Sequence, residues 1–340
     1  MKRHGNLFDK ICHPDNILYA FKAASKGRRT RKEVVAFEQN LSTGLLEVQR
    51  LLYTQEFSTA EYRVKTIFEP KQRDIYILPF FPDRIVHHAV LQVLIPIWDN
   101  LMIYHSFACR TGKGMHEAST ICKRYVEAYD YCFKCDISKF YPSINHKVLL
   151  GIISQKIKCR LTLQLLSNIV DSFEGETNVP IGNYTSQWFG NLYMNELDQY
   201  VKHTCKAMAY IRYCDDVVIF SNSKHELADL KNKIQMFIAE NLLLKFSKWS
   251  IFPTSQGVDF LGYRHFESKI LLRKSTVRRV RNRLQRLPSL LKEGHISFDG
   301  FRSSVFSTLG WVRWADTYNF QISVKLLEYI NELKSNKNKV

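Results

Sequence analysis

Apolar positions along the chain change from helical spacing to strand-like spacing and back several times. Over residues 1–60 the spacing is helical, which predicts a helical N-terminal region. One helical face within it carries Leu41, Leu45, Val48 and Leu52. Residues 62–68 and 74–78 are strand-like instead, and the turn between them predicts a hairpin that presents the cations Lys71 and Arg73. This turn is either a solvated hairpin tip or a contact for a triphosphate.

Helical and strand-like stretches continue to alternate through the rest of the chain. The predicted helices cover roughly 83–102, 115–128, 146–170, 187–203 and 224–243. The predicted strands fall within 131–137, 209–220 and 245–272.

The run 209–220 holds two strand-like segments on either side of Asp215 and Asp216. Asp tolerates turns, so the run predicts a hairpin whose tip lifts both carboxylates clear of the sheet. Two adjacent anions are unfavourable without a nearby cation, and Mg²⁺ is the hard divalent ion that carboxylates prefer. An ordinary acidic turn is the alternative for an isolated Asp-Asp pair.

The charge balance narrows the range of partners. The chain has a net charge of +17 and a pI near 9.5, which favours a polyanion such as nucleic acid. It contains no long uninterrupted apolar stretch and no recognisable signal peptide, so we expect a cytoplasmic protein without a membrane partner. The stretch 271–292 has no acidic residue and predicts a basic helix along a phosphate backbone. Its first cations are Arg273, Lys274, Arg278, Arg279 and Arg281.

Asp136 ends a predicted strand and supplies a third carboxylate for the pair at 215–216. Carboxylates at the ends of neighbouring strands can hold two metal ions about 4 Å apart, as phosphoryl transfer to a 3′-hydroxyl requires. We therefore expect two Mg²⁺ ions, with Mn²⁺ as a substitute.

With these residues in order, the chain resembles reverse transcriptases. Asp136–Tyr141 is similar to the first carboxylate motif of their palm, and Tyr213–Asp216 is similar to their Y-x-D-D motif. The resemblance implies metal ligands at Asp136, Ile137, Asp215 and Asp216. It implies nucleotide contacts at Lys71, Arg73, Ser138, Lys139, Phe140, Tyr141, Ile181, Gln187 and Lys248, with Lys245 as an alternative to Lys248. It also implies a primer grip at Phe260, Leu261, Gly262 and Tyr263.

One motif points to a subfamily. Ile181–Gln187 has the form Ile-Gly-x-x-x-Ser-Gln, which resembles the reverse transcriptases of diversity-generating retroelements, where most relatives carry Gln before the Gly. The resemblance implies a bacterial or phage enzyme that copies a template-repeat RNA with errors at adenines, through an RNA–cDNA hybrid made from dNTPs. It also implies a small basic pentameric accessory protein. A Gln could hydrogen-bond the nucleotide or template whereas Ile181 offers only shape, so we assign Ile181 to fidelity.

The resemblance implies an α+β protein with a right-hand polymerase fold, in which helices back an antiparallel palm sheet. We expect an N-terminal extension over 1–60, fingers over 61–130, a palm over 131–270 with a fingers-like insert at about 146–185, and a helical basic thumb over 271–340.

Three alternatives stay open. A group II intron reverse transcriptase normally carries maturase regions beyond the thumb, and only residues 271–340 follow here. A retron enzyme typically shows an Asn-Ala-x-x-His segment and a thumb Val-Thr-Gly, and neither is present. A non-catalytic RNA-binding scaffold would not need Asp136, Asp215 and Asp216.

Overall fold

The structure is a computed structural model that describes residues 3–68 and 72–335. The strands are β1 (Arg63–Ile67), β2 (Arg73–Ile77), β3 (Tyr131–Ile137), β4 (Tyr210–Tyr213), β5 (Asp216–Ser221), β6 (Phe246–Pro253), β7 (Val258–Phe260), β8 (Tyr263–His265) and β9 (Ile270–Leu272). The helices are α1 (Phe8–Cys12), α2 (Pro14–Ser25), α3 (Lys32–Gln39), α4 (Leu41–Tyr53), α5 (Ile85–Asp99), α6 (Met115–Ala128), α7 (Phe140–Ser143), α8 (His146–Ser154), α9 (Arg160–Val170), α10 (Tyr184–Gln199), α11 (Lys224–Asn241), α12 (Lys274–Lys292), α13 (Phe298–Val312), α14 (Tyr318–Ser323) and α15 (Leu326–Ser335). The α+β class that the resemblance implies is confirmed.

The chain divides into two compact units. Unit one comprises Met1–Gly112, Cys135–Val217 and Asp229–Trp249. Unit two comprises Lys113–Lys134, Val218–Ala228 and Ser250–Val340. The predicted domain boundaries at residues 60, 130 and 270 stay predictions.

Unit one begins with helices and a hairpin, as the spacing predicts. The amphipathic helices α2 and α4 bury one face each, with Ile17, Phe21, Val48 and Leu52 inward. Strands β1 and β2 then pair antiparallel, with Arg63 opposite Ile77 and Ile67 opposite Arg73.

The central sheet has the strand order β4-β5-β3-β6. Its inner strands β5 and β3 carry consecutive buried apolar residues, at Val217–Phe220 and Cys132–Phe133. Such runs are typical of strands that are covered on both faces. Helix α10 in unit one is buried along most of its length, including Trp188, Phe189 and Tyr193.

Unit two contains a small sheet and the C-terminal helices. Strands β7, β8 and β9 form an antiparallel meander. Helix α12 buries Thr276, Val280, Leu284 and Leu287 and exposes its cations. Its apolar face packs in a core with α13 and α15. Among the described residues, no helix is both long and apolar enough to cross a bilayer.

Candidate active site

The hairpin of β4 and β5 places the acidic pair at a tight turn. β4 ends at Tyr213 and β5 begins at Asp216, so Cys214 and Asp215 form the connection. Cys214 has a left-handed φ of +57°, a conformation that costs a non-glycine residue energy and often marks functional sites. The expectation that both carboxylates stand clear of the sheet is wrong for Asp216, which is the first residue of β5.

Asp136 is the next-to-last residue of β3, and β3 lies beside β5 in the sheet. On the other side of β3, Ser247 of β6 donates hydrogen bonds of 3.2 Å to both the side-chain Oδ2 and the backbone carbonyl of Asp136. The amide of Ser138 donates a 2.8 Å bond to the carbonyl of Lys245. Ser247 therefore holds the Asp136 carboxylate, and the bond from Ser138 to Lys245 holds the backbone that follows Asp136. Sequence reasoning missed Ser247, which carries no signal beyond its position on a strand.

The carboxylates share one electrostatic field. The pKa of Asp215 is raised to about 6, first by burial and next by the charge of Asp136, with a further contribution from Asp216. The charge of Arg73 acts in the opposite direction. The structure thus brings the three predicted acids and one predicted fingers cation into electrostatic contact.

The protein supplies only some of the ligands that Mg²⁺ needs. The described residues contain no group of three His, Cys, Asp or Glu side chains arranged to enclose a metal ion. Mg²⁺ commonly takes one or two carboxylates and fills its remaining positions with water and substrate phosphate oxygens. Asp136, Asp215 and Asp216 suit that mode, because a cation would relieve the repulsion that raises the pKa of Asp215.

The segment after Asp136 turns sharply into α7. Lys139 is exposed and left-handed, with φ +43°, and precedes the buried Phe140. The Tyr141 hydroxyl lies 3.5 Å from Cys214 Sγ in the acidic turn, and burial is the main reason why the pKa of Tyr141 is raised. A Cβ on Gly190 of α10 would lie 3.2 Å from the Tyr141 ring. Tyr141 is therefore held between α10 and the acidic turn.

The Ile181 motif lies against the β1–β2 hairpin. The Tyr76 amide of β2 donates a 2.7 Å hydrogen bond to the Ile181 carbonyl. Gly182 follows with φ +125°, and a Cβ there would lie 2.6 Å from the Tyr76 carbonyl oxygen. Within the same motif, Ser186 Oγ donates a 2.7 Å bond to the Pro180 carbonyl. The motif is thus bonded to, and closely packed against, β2, the strand that begins with Arg73.

The remaining predicted nucleotide contacts are less constrained. Ser138 is half-buried, and Gln187 and Lys248 are exposed on α10 and β6. Ile137 is buried at the end of β3. Lys71 lies outside the described residues.

The predicted primer grip forms the β7–β8 hairpin of unit two. Phe260 and Tyr263 are buried, and Leu261 and Gly262 form the turn with positive φ angles of +54° and +87°. A Cβ on Gly262 would lie 3.0 Å from the ring of Trp311. A nucleic acid could therefore reach only the turn of this hairpin, and the buried Phe260 and Tyr263 anchor that turn in unit two.

The predicted thumb cations lie mainly on the exposed face of α12. Lys274, Arg278, Arg279 and Arg281 are exposed. Arg273 differs, because its Nε donates a 2.7 Å hydrogen bond to Asp259. The sequence separates an apolar face from a basic one, and this favours contact with a polyanion along the helix.

Sequence reasoning also missed a buried polar cluster beneath the acidic turn. Arg212 of β4 and Asp198 of α10 are both fully buried and form an ion pair of 2.6 Å. The available signal was an arginine within an otherwise apolar hairpin, two residues before the turn. An unpaired charge does not occur in a protein interior at low cost, so this position required a partner.

Comparison with known proteins now decides the family. Residues 70–265 match the model of the reverse transcriptase (RNA-dependent DNA polymerase) family, which is more than half of the chain. The chain belongs to this family. Its family segment contains Asp136, Asp215 and Asp216 together with the Ile181 motif.

Individual relatives of this reverse transcriptase family member are distant. It is 21% identical to the putative COX1/OXI3 intron 2 protein of Saccharomyces cerevisiae over 53% of this chain and 29% of that protein. It is 22% identical to the group II intron-encoded protein LtrA of Lactococcus lactis over 55% of this chain and 43% of that protein. The chain thus spans less than half the length of these two relatives.

A solved structure shows the same fold. Apo telomerase from Candida Tropicalis is similar with a TM-score of 0.50 and 13% identity, over 67% of this chain and 52% of that one. The right-hand polymerase fold class predicted from the motifs is confirmed at this level.

Proposed function

We propose that this protein is an RNA-directed DNA polymerase. The observation that carries the proposal is the shared field of Asp215, Asp136 and Asp216, opposed by Arg73 of the fingers hairpin. Membership of the reverse transcriptase family supports it. A non-catalytic scaffold would have no use for a buried carboxylate whose pKa is raised to about 6 by its burial and by the charges of two further carboxylates.

The chain's own residues divide the work of nucleotide addition. Asp136, Asp215 and Asp216 would hold the divalent ions, with Ile137 beside them. Bound Mg²⁺ would supply activation of the primer hydroxyl and neutralisation of the charge that develops on the triphosphate. Lys71 and Arg73 orient the triphosphate, and Ser138, Lys139 and Phe140 shape the floor of the nucleotide site. Lys248 supplies a proton to the leaving pyrophosphate.

Other residues select and hold the substrates. Tyr141 excludes the 2′-hydroxyl of a ribonucleotide, because its ring is fixed between α10 and the acidic turn. The turn of the primer grip holds the primer end, and the basic face of α12 follows the backbone of an RNA–DNA hybrid.

For the biological role, the proposal is error-prone synthesis of cDNA from a template-repeat RNA in a diversity-generating retroelement. Its support is the Ile-Gly-x-x-x-Ser-Gln motif at 181–187. In this role Ile181 loosens discrimination, Gln187 contacts the nucleotide or template, and a small basic pentameric protein assists. We place such an enzyme in the cytoplasm of a bacterium, with a bacterial or phage gene.

A second candidate is a group II intron-type reverse transcriptase. One named relative is a group II intron-encoded protein, and it matches over 55% of this chain. The motif at 181–187 favours the first candidate over this one.

The test is primer extension on an RNA template that contains all four bases, with Mg²⁺ and dNTPs, followed by sequencing of the cDNA. Incorporation with errors concentrated opposite template adenines is expected. Incorporation with evenly spread errors would favour the group II intron-type enzyme. Absence of incorporation, with and without the accessory protein, would leave the scaffold.

A further inference from the structure

The guanidinium of Arg212 has every one of its hydrogen-bond donors satisfied in the interior of unit one. Its Nε and Nη2 donate to the two carboxylate oxygens of Asp198 at 2.7 Å and 2.6 Å. Its Nη2 also donates to Ser106 Oγ at 2.8 Å, and its Nη1 donates to Asn191 Oδ1 at 3.2 Å. The last donor, on Nη1, bonds the backbone carbonyl of Cys214 at 3.0 Å. Arginine has five N–H donors, and all five are used.

The Cys214 carbonyl belongs to the peptide group that links Cys214 to Asp215. Fixing this carbonyl restrains the plane of that peptide, which contains the Cα atom from which the Asp215 side chain leaves the turn. Cys214 adopts its left-handed φ of +57° only at an energetic cost. The bond from Arg212 helps to offset that cost.

Arg212 is itself fixed from several sides. Its backbone amide donates to the His105 carbonyl at 3.0 Å, and its carbonyl accepts from the Phe107 amide at 3.1 Å. Asp198 is held in turn by the Tyr210 hydroxyl, which donates to Oδ1 at 2.6 Å. The Cys214 carbonyl is therefore bonded to a rigid group rather than to a mobile side chain.

Stability alone does not account for this arrangement. A buried ion pair can usually be replaced by apolar side chains of similar volume without loss of stability, because removing both charges also removes their desolvation cost. What apolar side chains cannot supply is a donor for the Cys214 carbonyl. The ion pair thus provides the acidic turn with a hydrogen-bond donor that apolar packing cannot provide.

We propose that Arg212, oriented by Asp198, is a positioning residue that sets the conformation of the acidic turn and aims the Asp215 carboxylate for metal binding. This inference rests on the proposed polymerase function. Arg212 touches neither substrate nor metal and acts through the main chain of Cys214.

The test compares three variants of the full chain with the wild type. Arg212→Lys keeps the charge but has too few donors for all five acceptors. The double variant Arg212→Met/Asp198→Leu removes the ion pair without leaving an unpaired charge. Arg50→Met is the control, because Arg50 is also an ion-paired arginine of unit one, and its hydrogen bonds to Glu47 and Glu56 reach neither the turn nor the segment 105–107 that holds Arg212.

The first readout needs neither metal nor substrate. Amide hydrogen exchange of the segment 213–217 in the metal-free protein is expected to accelerate in the Arg212→Lys and double variants but not in the Arg50 control. The second readout is primer extension, where kcat is expected to fall by about 100-fold and the Mg²⁺ concentration for half-maximal rate to rise. The KM for dNTP is expected to stay near that of the wild type.

The outcomes distinguish the positioning role of Arg212 from the polymerase function. A double variant that melts like the wild type and retains wild-type exchange, kcat and Mg²⁺ requirement would overturn the positioning role. If the double variant does not fold, wild-type exchange and kcat in Arg212→Lys would overturn it equally. A wild-type protein that extends no primer would refute the polymerase proposal, and the exchange measurement would still decide whether Arg212 orders the turn.

Discussion

The amide of Tyr76 donates a hydrogen bond of 2.7 Å to the carbonyl of Ile181, which joins the β1–β2 hairpin to the motif at 181–187. Tyr76 is three residues from Arg73 on β2, and the charge of Arg73 reaches Asp215. The bond therefore links the proposed fidelity position to the proposed triphosphate contact through one short strand. We therefore expect a change in the packing of Ile181 to alter the position of Arg73.

Gly182 gives the first prediction. Gly182→Ala places a Cβ 2.6 Å from the Tyr76 carbonyl oxygen and 2.9 Å from Ile75 Cγ2, and its φ of +125° is strained for alanine. We expect a loss of about 1–3 kcal/mol in the free energy of unfolding and a higher KM for dNTP, measured by denaturant unfolding and primer extension.

Gly175→Ala is the control for the Gly182 variant. Gly175 has a similar φ of +105°, but a Cβ added there would meet no atom within 4 Å. It reports the backbone strain without the clash. If both variants show the same KM for dNTP, the contact with β2 has no part in nucleotide binding.

Tyr141 gives a prediction about sugar selection. Tyr141→Ala opens the space between α10 and the acidic turn, so ribonucleotides should be accepted about 10- to 200-fold better relative to deoxynucleotides. The measurement is the ratio of kcat/KM for the two nucleotides on one template. Phe21→Leu is the control, since Phe21 is buried against Phe37 and Phe80 and its loss should lower stability without changing the ratio. An unchanged ratio in Tyr141→Ala would remove the residue from sugar selection.

The exposed face of α12 gives a prediction about salt. Arg278→Ala and Arg281→Ala should each weaken binding of an RNA–DNA hybrid regardless of its sequence, and each should reduce the slope of log K against log salt by about 1. Arg50→Ala should leave the slope unchanged, because Arg50 is already paired with Glu47 and Glu56. Equal slopes in all three variants would show that the hybrid does not bind along the exposed face of α12.

Buried His265 gives a prediction about pH. His265 lies 2.7 Å from Ser119 Oγ and 3.1 Å from the Val258 carbonyl, and burial lowers its pKa to about 4. The unfolded chain takes up this proton first as pH falls, so stability is full above about 6.5 and is lost progressively down to about 4. The loss should be on the order of 3 kcal/mol.

The measurement is denaturant unfolding of wild type and His265→Asn between pH 7 and pH 4. The variant should be less stable at pH 7 but should lose less stability on acidification. His295→Asn, at an exposed position, should follow the wild-type curve. A His265→Asn curve parallel to that of the wild type would contradict the assignment.

The sequence predicted the elements well wherever one spacing dominates. The helix expected at 115–128 spans Met115–Ala128, and the basic helix expected after residue 271 spans Lys274–Lys292. Short motifs such as Tyr213–Asp216 were also informative, because chemistry dictates their residue types. These are local properties, which a sequence states directly.

Relationships between distant segments were not predictable in the same way. Nothing local to Ser247 indicates that it bonds Asp136, and nothing local to Ser106 indicates that it receives a donor from Arg212. The position of Asp216 was misjudged by a single residue, because the left-handed φ of Cys214 shortens the turn and residue-type preferences do not favour Cys there. Tertiary contacts select such conformations.

The most direct measurement for the account is single-nucleotide incorporation on an RNA template by wild type and Asp215→Asn, with hybrid binding measured on the same samples. Asp15→Asn, which removes an exposed charge from α2, is the control. The account predicts that Asp215→Asn binds the hybrid like wild type but incorporates at least about 1,000-fold more slowly, while Asp15→Asn matches wild type. Wild-type incorporation by Asp215→Asn would contradict it.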